Sequence, residues 1–219
     1  MFKVENKFPR EDRFTWRHNC ILLELSSSIR QKLGEVNRSP LHPPRVIHFV
    51  RPGQLSTPRP QPKAFGLLEQ ARDWICDFDL PEFHPNGGYH FPYNVSIESF
   101  RCDGYIASLS RKVCFVVELT SPMEENIEYW HKEKFEKYSK ISSPDWKFHF
   151  LIFEVGCRGF IPSRFFPMLR DLGFNPRESR LIRDNLQLVA RKCSYVIWVN
   201  RFNNVFKSDH ILQTGFNSS

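Results

Sequence analysis

The sequence predicts an α/β fold, a mixed β-sheet flanked by helices, with an N-terminal helical extension. Three observations carry that expectation. From about residue 63, short apolar runs of strand length alternate with longer stretches that repeat at helical spacing. Runs 102–109 and 112–119 are joined by a tight turn at Ser110-Arg111, which makes them an antiparallel pair. Run 146–155, WKFHFLIFEV, is nearly continuous in apolar residues, the pattern of a central strand covered on both faces.

The elements follow in order. Ile21, Leu22, Leu25, Ile29 and Leu33 keep helical spacing, so a helix is expected from Trp16 to about Leu33, with Gly34 as its C-terminal cap. Two proline-rich connections, SPLHPPR and RPGQLSTPRPQP, flank a short strand at 45–50. Residues 1–62 therefore read as a helix with a proline-rich linker, and residues 63–219 as the main body. ARDWICDFDL (71–80) reads as a helix end running into a strand. The hairpin follows, and then a helix over 124–141, EENIEYWHKEKFEKYSKI, with acids in its first turn and lysines later, the order the helix dipole favours. After the 146–155 strand, a helix over 162–173 ends at Gly173, and Pro167 is expected to kink it. The last long helix has Asn175 as its N-cap, Pro176 in its first position and Glu178 placed for a capping box, and it runs to roughly Val199.

With 219 residues, 41% hydrophobic and 25% charged, the chain has the composition of a soluble globular protein. Its 21 Phe and 5 Trp make the core aromatic. No apolar run reaches the roughly 20 residues of a membrane span, and the N-terminus, MFKVENKFPREDRF, lacks the apolar centre of a signal peptide. The reading is an intracellular protein, nuclear or cytoplasmic, with no membrane partner. The 6 cysteines show no CxxC pair and no Cys–His block at zinc spacing, so they read as small apolar fillers. His18 and Cys20 could supply two metal ligands, but nothing nearby in sequence supplies the others. A net charge of +7 is compatible with a polyanionic partner such as nucleic acid, although many proteins of that charge bind none.

The chemistry concentrates in the hairpin. A two-residue turn centred on Ser110-Arg111 sets Asp103 directly opposite Glu118 on one side of the sheet, with Cβ atoms ~4.5–5.5 Å apart. Like charges so opposed repel, and a hard divalent cation bound through oxygen would neutralise them. The alternative is a wet sheet edge on which both acids are solvated. In the following helix Ile127, Trp130, Lys134, Lys137 and Ile141 share one stripe, so two lysines interrupt a face that should pack on the sheet. Lys137 reads as a snorkelling side chain, its stem on apolar surface and its ammonium in water. Lys134, near the stripe centre, either does the same or points its ammonium at the acid pair.

Together these residues resemble the PD-(D/E)XK, or restriction-endonuclease-like, nuclease pattern: an acid on one strand, then Glu-X-Lys on the adjacent hairpin strand. More closely, the chain resembles the C-terminal endonuclease segment of non-LTR retroelement polyproteins and their stand-alone relatives. The resemblance lies in FTWRHNCILLEL (14–25), FVRPG (49–53), LLEQARDW (67–74), RCDGYI (101–106), VELTSPMEENI (117–127), HKEKFEKY (131–138), EVGCRGF (154–160) and ARKCSYVIW (190–198). The ordered set spans most of the chain. There are two departures. The family's Pro-Asp is Cys102-Asp103 here, and Thr120 stands in the lysine position of Glu-X-Lys.

The resemblance implies a restriction-endonuclease-like core and a divalent-metal-dependent DNA endonuclease domain of retroelement origin, hydrolysing phosphodiester bonds with Mg²⁺ or Mn²⁺. Asp103, Glu118 and the carbonyl oxygen of Leu119 would hold the ion. Lys134 would supply the lysine that Thr120 lacks, completing a catalytic set of Asp103, Glu118 and Lys134, with Lys137 the other candidate for that place. Tyr138 could bond a phosphate or simply pack. Glu69 could add an acid near the ion or sit solvated on the surface. Glu154, with Arg158, could support the site or form a structural ion pair at a loop, and His131 reads as a partly buried core residue. DNA is the implied partner, with a reverse transcriptase or other retroelement domain as a second candidate. The departures leave a rival of another class, a nuclease-like domain without activity that binds nucleic acid or a protein.

Overall fold

The computed structural model describes residues 10–41, 64–92, 95, 101–202 and 206, with side chains from residue 13. The strand expected at 45–50 and the FVRPG segment lie outside the described residues. Those described build an α/β architecture around a mixed four-stranded sheet in the order β1-β2-β3-β4. The strands are β1 (Trp74–Phe78), β2 (Gly104–Ser108), β3 (Val113–Thr120) and β4 (Lys147–Glu154). The first three form an antiparallel meander and β4 runs parallel to β3. Parallel neighbours need a long crossover, which here carries α2 (Ile127–Tyr138). The other helices are α1 (Arg10–Arg38), α3 (Phe165–Asp171) and α4 (Pro176–Val199). The α/β class with helices flanking a mixed sheet matches the expectation from alternating apolar runs.

β2 and β3 pair from Gly104–Val117 to Ser108–Val113, and one further step sets Asp103 opposite Glu118. That is the register read from the sequence, although the turn differs. Leu109 to Lys112 lie outside the ladder, a four-residue loop with Lys112 at φ 51° in the left-handed region. The loop is still centred on Ser110-Arg111, so the register survives its lengthening. Asp73 anchors it: its carboxylate accepts from the Ser110 amide (2.8 Å), the Ser110 hydroxyl (2.8 Å) and the Ser108 hydroxyl (2.6 Å).

Every residue of β3 is buried, so both of its faces are covered. Val113, Phe115, Val117 and Leu119 join the larger core, beneath α1, α3 and α4. Cys114 and Val116 face the other way, toward Tyr138 at the end of α2 and Ile141 just beyond it. Side chains alternate along a strand, so Glu118 falls on the α2 face.

α1 buries Ile21, Leu22, Leu25, Ile29 and Leu33 in the same core as Ile182, Leu186 and Ala190 of α4. It is longer than the spacing of those five residues suggests, and Gly34 lies inside it rather than capping it. The last turn is held by tertiary bonds. Asn37 accepts from the Trp74 amide (3.1 Å) and donates to the Trp74 carbonyl (2.8 Å), tying α1 to β1. α4 begins with the expected capping box: the Asn175 side chain accepts from the Glu178 amide (2.9 Å) and Glu178 accepts from the Asn175 amide (2.8 Å). Glu178 also receives Lys32 of α1 at 2.9 Å, so one carboxylate caps α4 and docks α1.

Elsewhere the sequence reading needs correction. The segment before β1 is a 3-10 turn, Gly66–Gln70, rather than a helix end. α3 starts at Phe165, so Pro167 sits in its first turn, where amides have no helical acceptor, and ends no hydrogen bond. Gly173 closes α3 as expected, at φ 75°, where a Cβ would stand 2.4 Å from Phe65 Cα. All 6 cysteines are free. Among the described residues, no helix is long and apolar enough to cross a membrane.

Candidate functional site

The end of β3 and the start of β2 open onto a cavity of 340 Å³, whose walls include His18, Asp103, Glu118, Thr120, Trp130 and Lys134. Both acids therefore reach one space, as the register requires. Glu118 is buried. Lys134 Nζ donates to its Oε1, and the Tyr138 hydroxyl lies 2.6 Å from its Oε2 and 3.0 Å from the Arg101 carbonyl. Burial, and then repulsion from Asp103, lift the Glu118 pKa above the usual carboxylate range; Lys134 and Tyr138 offset only part of that. The Tyr138 hydroxyl is itself pushed up, by burial first and by Glu118 second.

Asp103 is held differently. Its Oδ2 accepts from the Leu119 amide at 2.7 Å, a bond that ties the carboxylate to the strand beside it. The same oxygen lies 3.2 Å from Nε2 of His18, on α1, and that nitrogen is also 3.2 Å from the Leu119 carbonyl oxygen. Nδ1 of the ring faces Asn19 Oδ1 at 3.2 Å. Burial alone would lower the His18 pKa, but the bond and charge of Asp103 outweigh it and, with Asn19 and Leu119, raise it to about 9. Both ring nitrogens face oxygen atoms, an arrangement that favours the protonated ring. The cavity thus brings together two acidic side chains, a lysine and an imidazole.

The remaining residues singled out by sequence separate into those near the cavity and those away from it. Thr120 lines it, and its Oγ1 and the Ser121 Oγ are buried with no hydrogen-bond partner among the described residues. Tyr138 reaches Glu118, as above. Lys137 does not line the cavity: it bends back over the Tyr138 ring, 4.6 Å from its centre, and donates to the hydroxyl at 3.0 Å. Glu69 is elsewhere, accepting from the Phe65 amide at 2.9 Å across its own 3-10 turn. Glu154 is buried at the end of β4, taking bonds from His131 Nδ1 and from Arg164 Nε (3.0 Å), which is a structural ion-pair network. Arg158 pairs with Glu124 at 2.7 Å and Glu125 at 3.2 Å instead of with Glu154.

His18 is the residue that sequence reasoning set aside. No neighbour in sequence completes a site with it, because its partners lie 85 and 101 positions away. One signal was present: the stripe Ile29, Leu25, Leu22, extended one turn toward the N-terminus, meets His18.

Whether these groups suit a divalent cation is a question of donors. Among the described residues no three His, Cys, Asp or Glu side chains converge as a metal site. The oxygen set here is two carboxylates and one main-chain carbonyl, with two unpartnered hydroxyls on the same wall or beside it. That set fits a hard cation that retains several waters, the habit of Mg²⁺. Comparison with protein-family models, curated proteins and solved structures finds no match to this chain.

Proposed function

We propose that the chain is a divalent-metal-dependent DNA endonuclease domain of retroelement origin, with a restriction-endonuclease-like core and Asp103, Glu118 and Lys134 as its catalytic residues. One observation carries the reading: acids from two adjacent hairpin strands and an ammonium from the following helix meet in one cavity. Asp103, Glu118 and the Leu119 carbonyl would hold Mg²⁺ or Mn²⁺, which when bound supplies a Lewis acid for a phosphoryl oxygen and lowers the pKa of coordinated water. Lys134 keeps a positive charge beside Glu118, where negative charge would build during attack on a phosphodiester. Tyr138 fixes the second oxygen of Glu118, so the carboxylate is oriented from both ends. Trp130, on the cavity wall and 41% exposed, offers a ring face to a base or sugar next to the reacting phosphate.

The test is nicking of supercoiled plasmid by the purified chain with Mg²⁺ or Mn²⁺, stopped by chelation. Glu118→Gln is expected to abolish cleavage while the protein stays folded, and Lys134→Ala to slow it ~10²-fold or more, the usual loss for one preorganised electrostatic group. Full activity in Glu118→Gln would place the chemistry elsewhere. A second reading, an inactive nuclease-like domain that binds nucleic acid or a protein, is favoured by two features: Lys134 closes directly onto Glu118, and the usual Pro and Lys are replaced by Cys102 and Thr120. A wild type that binds DNA in the presence of metal but never cuts it would establish that reading instead.

A further inference from the structure

The metal reading leaves His18 without a role, yet its ring reaches two of the three proposed oxygen donors at once. Its Nε2 stands 3.2 Å from Asp103 Oδ2 and 3.2 Å from the Leu119 carbonyl, two of the three atoms assigned to the ion. A ring N–H between two oxygens occupies the position a cation would take, and it uses the same lone pairs. The ring also borders a second cavity, of 610 Å³, shared with Thr15, Asn19, His84, Arg101 and Asp103. That space gives the imidazole somewhere to turn without moving α1, whose backbone is fixed by its buried face.

We propose that His18 is a fourth residue of this centre, a positioning residue whose ring and the divalent ion are alternative occupants of one place. In the metal-free protein the ring holds Asp103 and the Leu119 carbonyl together and blocks their approach to Glu118 by other groups. On metal binding the ring leaves for the larger cavity. α1 thereby gates the site. The proposal rests on the divalent-cation reading given above, but its test does not depend on DNA cleavage.

The full chain, stripped of metal with EDTA and exchanged into chelator-free buffer, is titrated with Mn²⁺ by calorimetry. His18→Ala is expected to bind Mn²⁺ about tenfold more tightly than wild type, the factor that follows when a site is open one time in ten. In ¹⁵N-labelled wild type, Mg²⁺ is expected to shift the ring nitrogens of His18 and to leave those of His131 and His149 in place, a readout that stands even if the variant fails to fold. Weaker binding by a folded His18→Ala would make the imidazole a ligand. Equal affinity, or unmoved His18 nitrogens at saturating Mg²⁺, would make it a bystander. Each of those results overturns the proposal and leaves the metal reading intact. Absence of Mn²⁺ and Mg²⁺ binding by wild type and variant alike would remove both.

Discussion

Replacing Lys134 by methionine keeps the stem and takes the ammonium away from Glu118. The Glu118 side chain is 4% exposed and that of Lys134 25%, so the acid is left in a poor dielectric while its partner's head still touches water. Removing one member of a fully buried pair costs ~3–5 kcal/mol, and an exposed pair contributes ~0–1 kcal/mol. This pair lies between those limits, so Lys134→Met is expected to cost about 2 kcal/mol at slightly alkaline pH without metal. The sign with pH is fixed. The folded pKa of Glu118 already lies above its unfolded value, so the native state disfavours the ionised form. That penalty is absent below the unfolded pKa and grows as pH rises through the folded one. Losing Lys134 raises the folded value further, so the cost of the substitution shrinks as pH falls.

Glu118→Gln removes the charge itself rather than its partner, and relieves the repulsion from Asp103. It is expected to stay within ~1 kcal/mol of wild type, because replacing a buried charge by a neutral group of the same shape is often close to neutral. The double variant should then recover at least half of the Lys134→Met loss, a coupling within the ~0.5–3 kcal/mol range of contacting pairs. Urea unfolding followed by tryptophan fluorescence, with EDTA, at about pH 8 and about pH 5, measures all four proteins. Strict additivity, or a Lys134→Met protein as stable as wild type at the higher pH, would show that the ammonium does not rest on this carboxylate.

Three further outcomes are expected. Gly104→Ala would place a Cβ 2.4 Å from the Phe78 ring and 2.9 Å from the Asp77 carbonyl, so thermal melting should show a loss in the ~1–3 kcal/mol range of overpacked cores, with Asp103 displaced and Mn²⁺ binding weakened. His149 stacks on Phe115 at 4.9 Å, and burial, then Lys147, holds its pKa below the usual 6.5. Its contribution is present above that value and is lost as pH falls toward the folded pKa, so His149→Phe should flatten the acid side of the urea stability curve. Lys137→Ala leaves the cavity lining unchanged and should lower DNA affinity with a salt slope reduced by ~1, seen in filter binding at several salt concentrations.

Features set by short-range chemistry were legible in the sequence. The capping box at Asn175 and Glu178 needs only three residues of spacing, and it formed as read. The β2–β3 register depended on the centre of the turn and not on its length, so Asp103 and Glu118 face each other despite a loop two residues longer than expected. What failed were features decided by distant partners. Gly34 reads as a helix cap until Asn37 finds the Trp74 backbone. His18 belongs with these, since its site is assembled from α1 and the far ends of two strands.

α2 shows the same limit in a form that bears on function. Sequence spacing gives its inward stripe as Ile127, Trp130, Lys134, Lys137 and Ile141, but the residues that turn inward are Ile127, His131, Lys134, Tyr138 and, just past the helix end, Ile141. Alternating steps of three and four fit both sets, and they differ only in the order of the steps. The choice decides the chemistry. Glu154 pairs in register with Thr120, two residues beyond Glu118, so the two buried acids point to one face of the sheet, the face that α2 covers. The observed phase gives each acid a partner from the helix: Lys134 and Tyr138 for Glu118, His131 for Glu154. In the other phase Trp130 and Lys137 would turn inward, and Glu154 would lose its histidine. Only Ile127 and Tyr138 of α2 are fully buried, so apolar packing alone does not fix the helix's rotation. The two acids supply the polar contacts that select it, and in that rotation both Trp130 and Lys134 line the cavity.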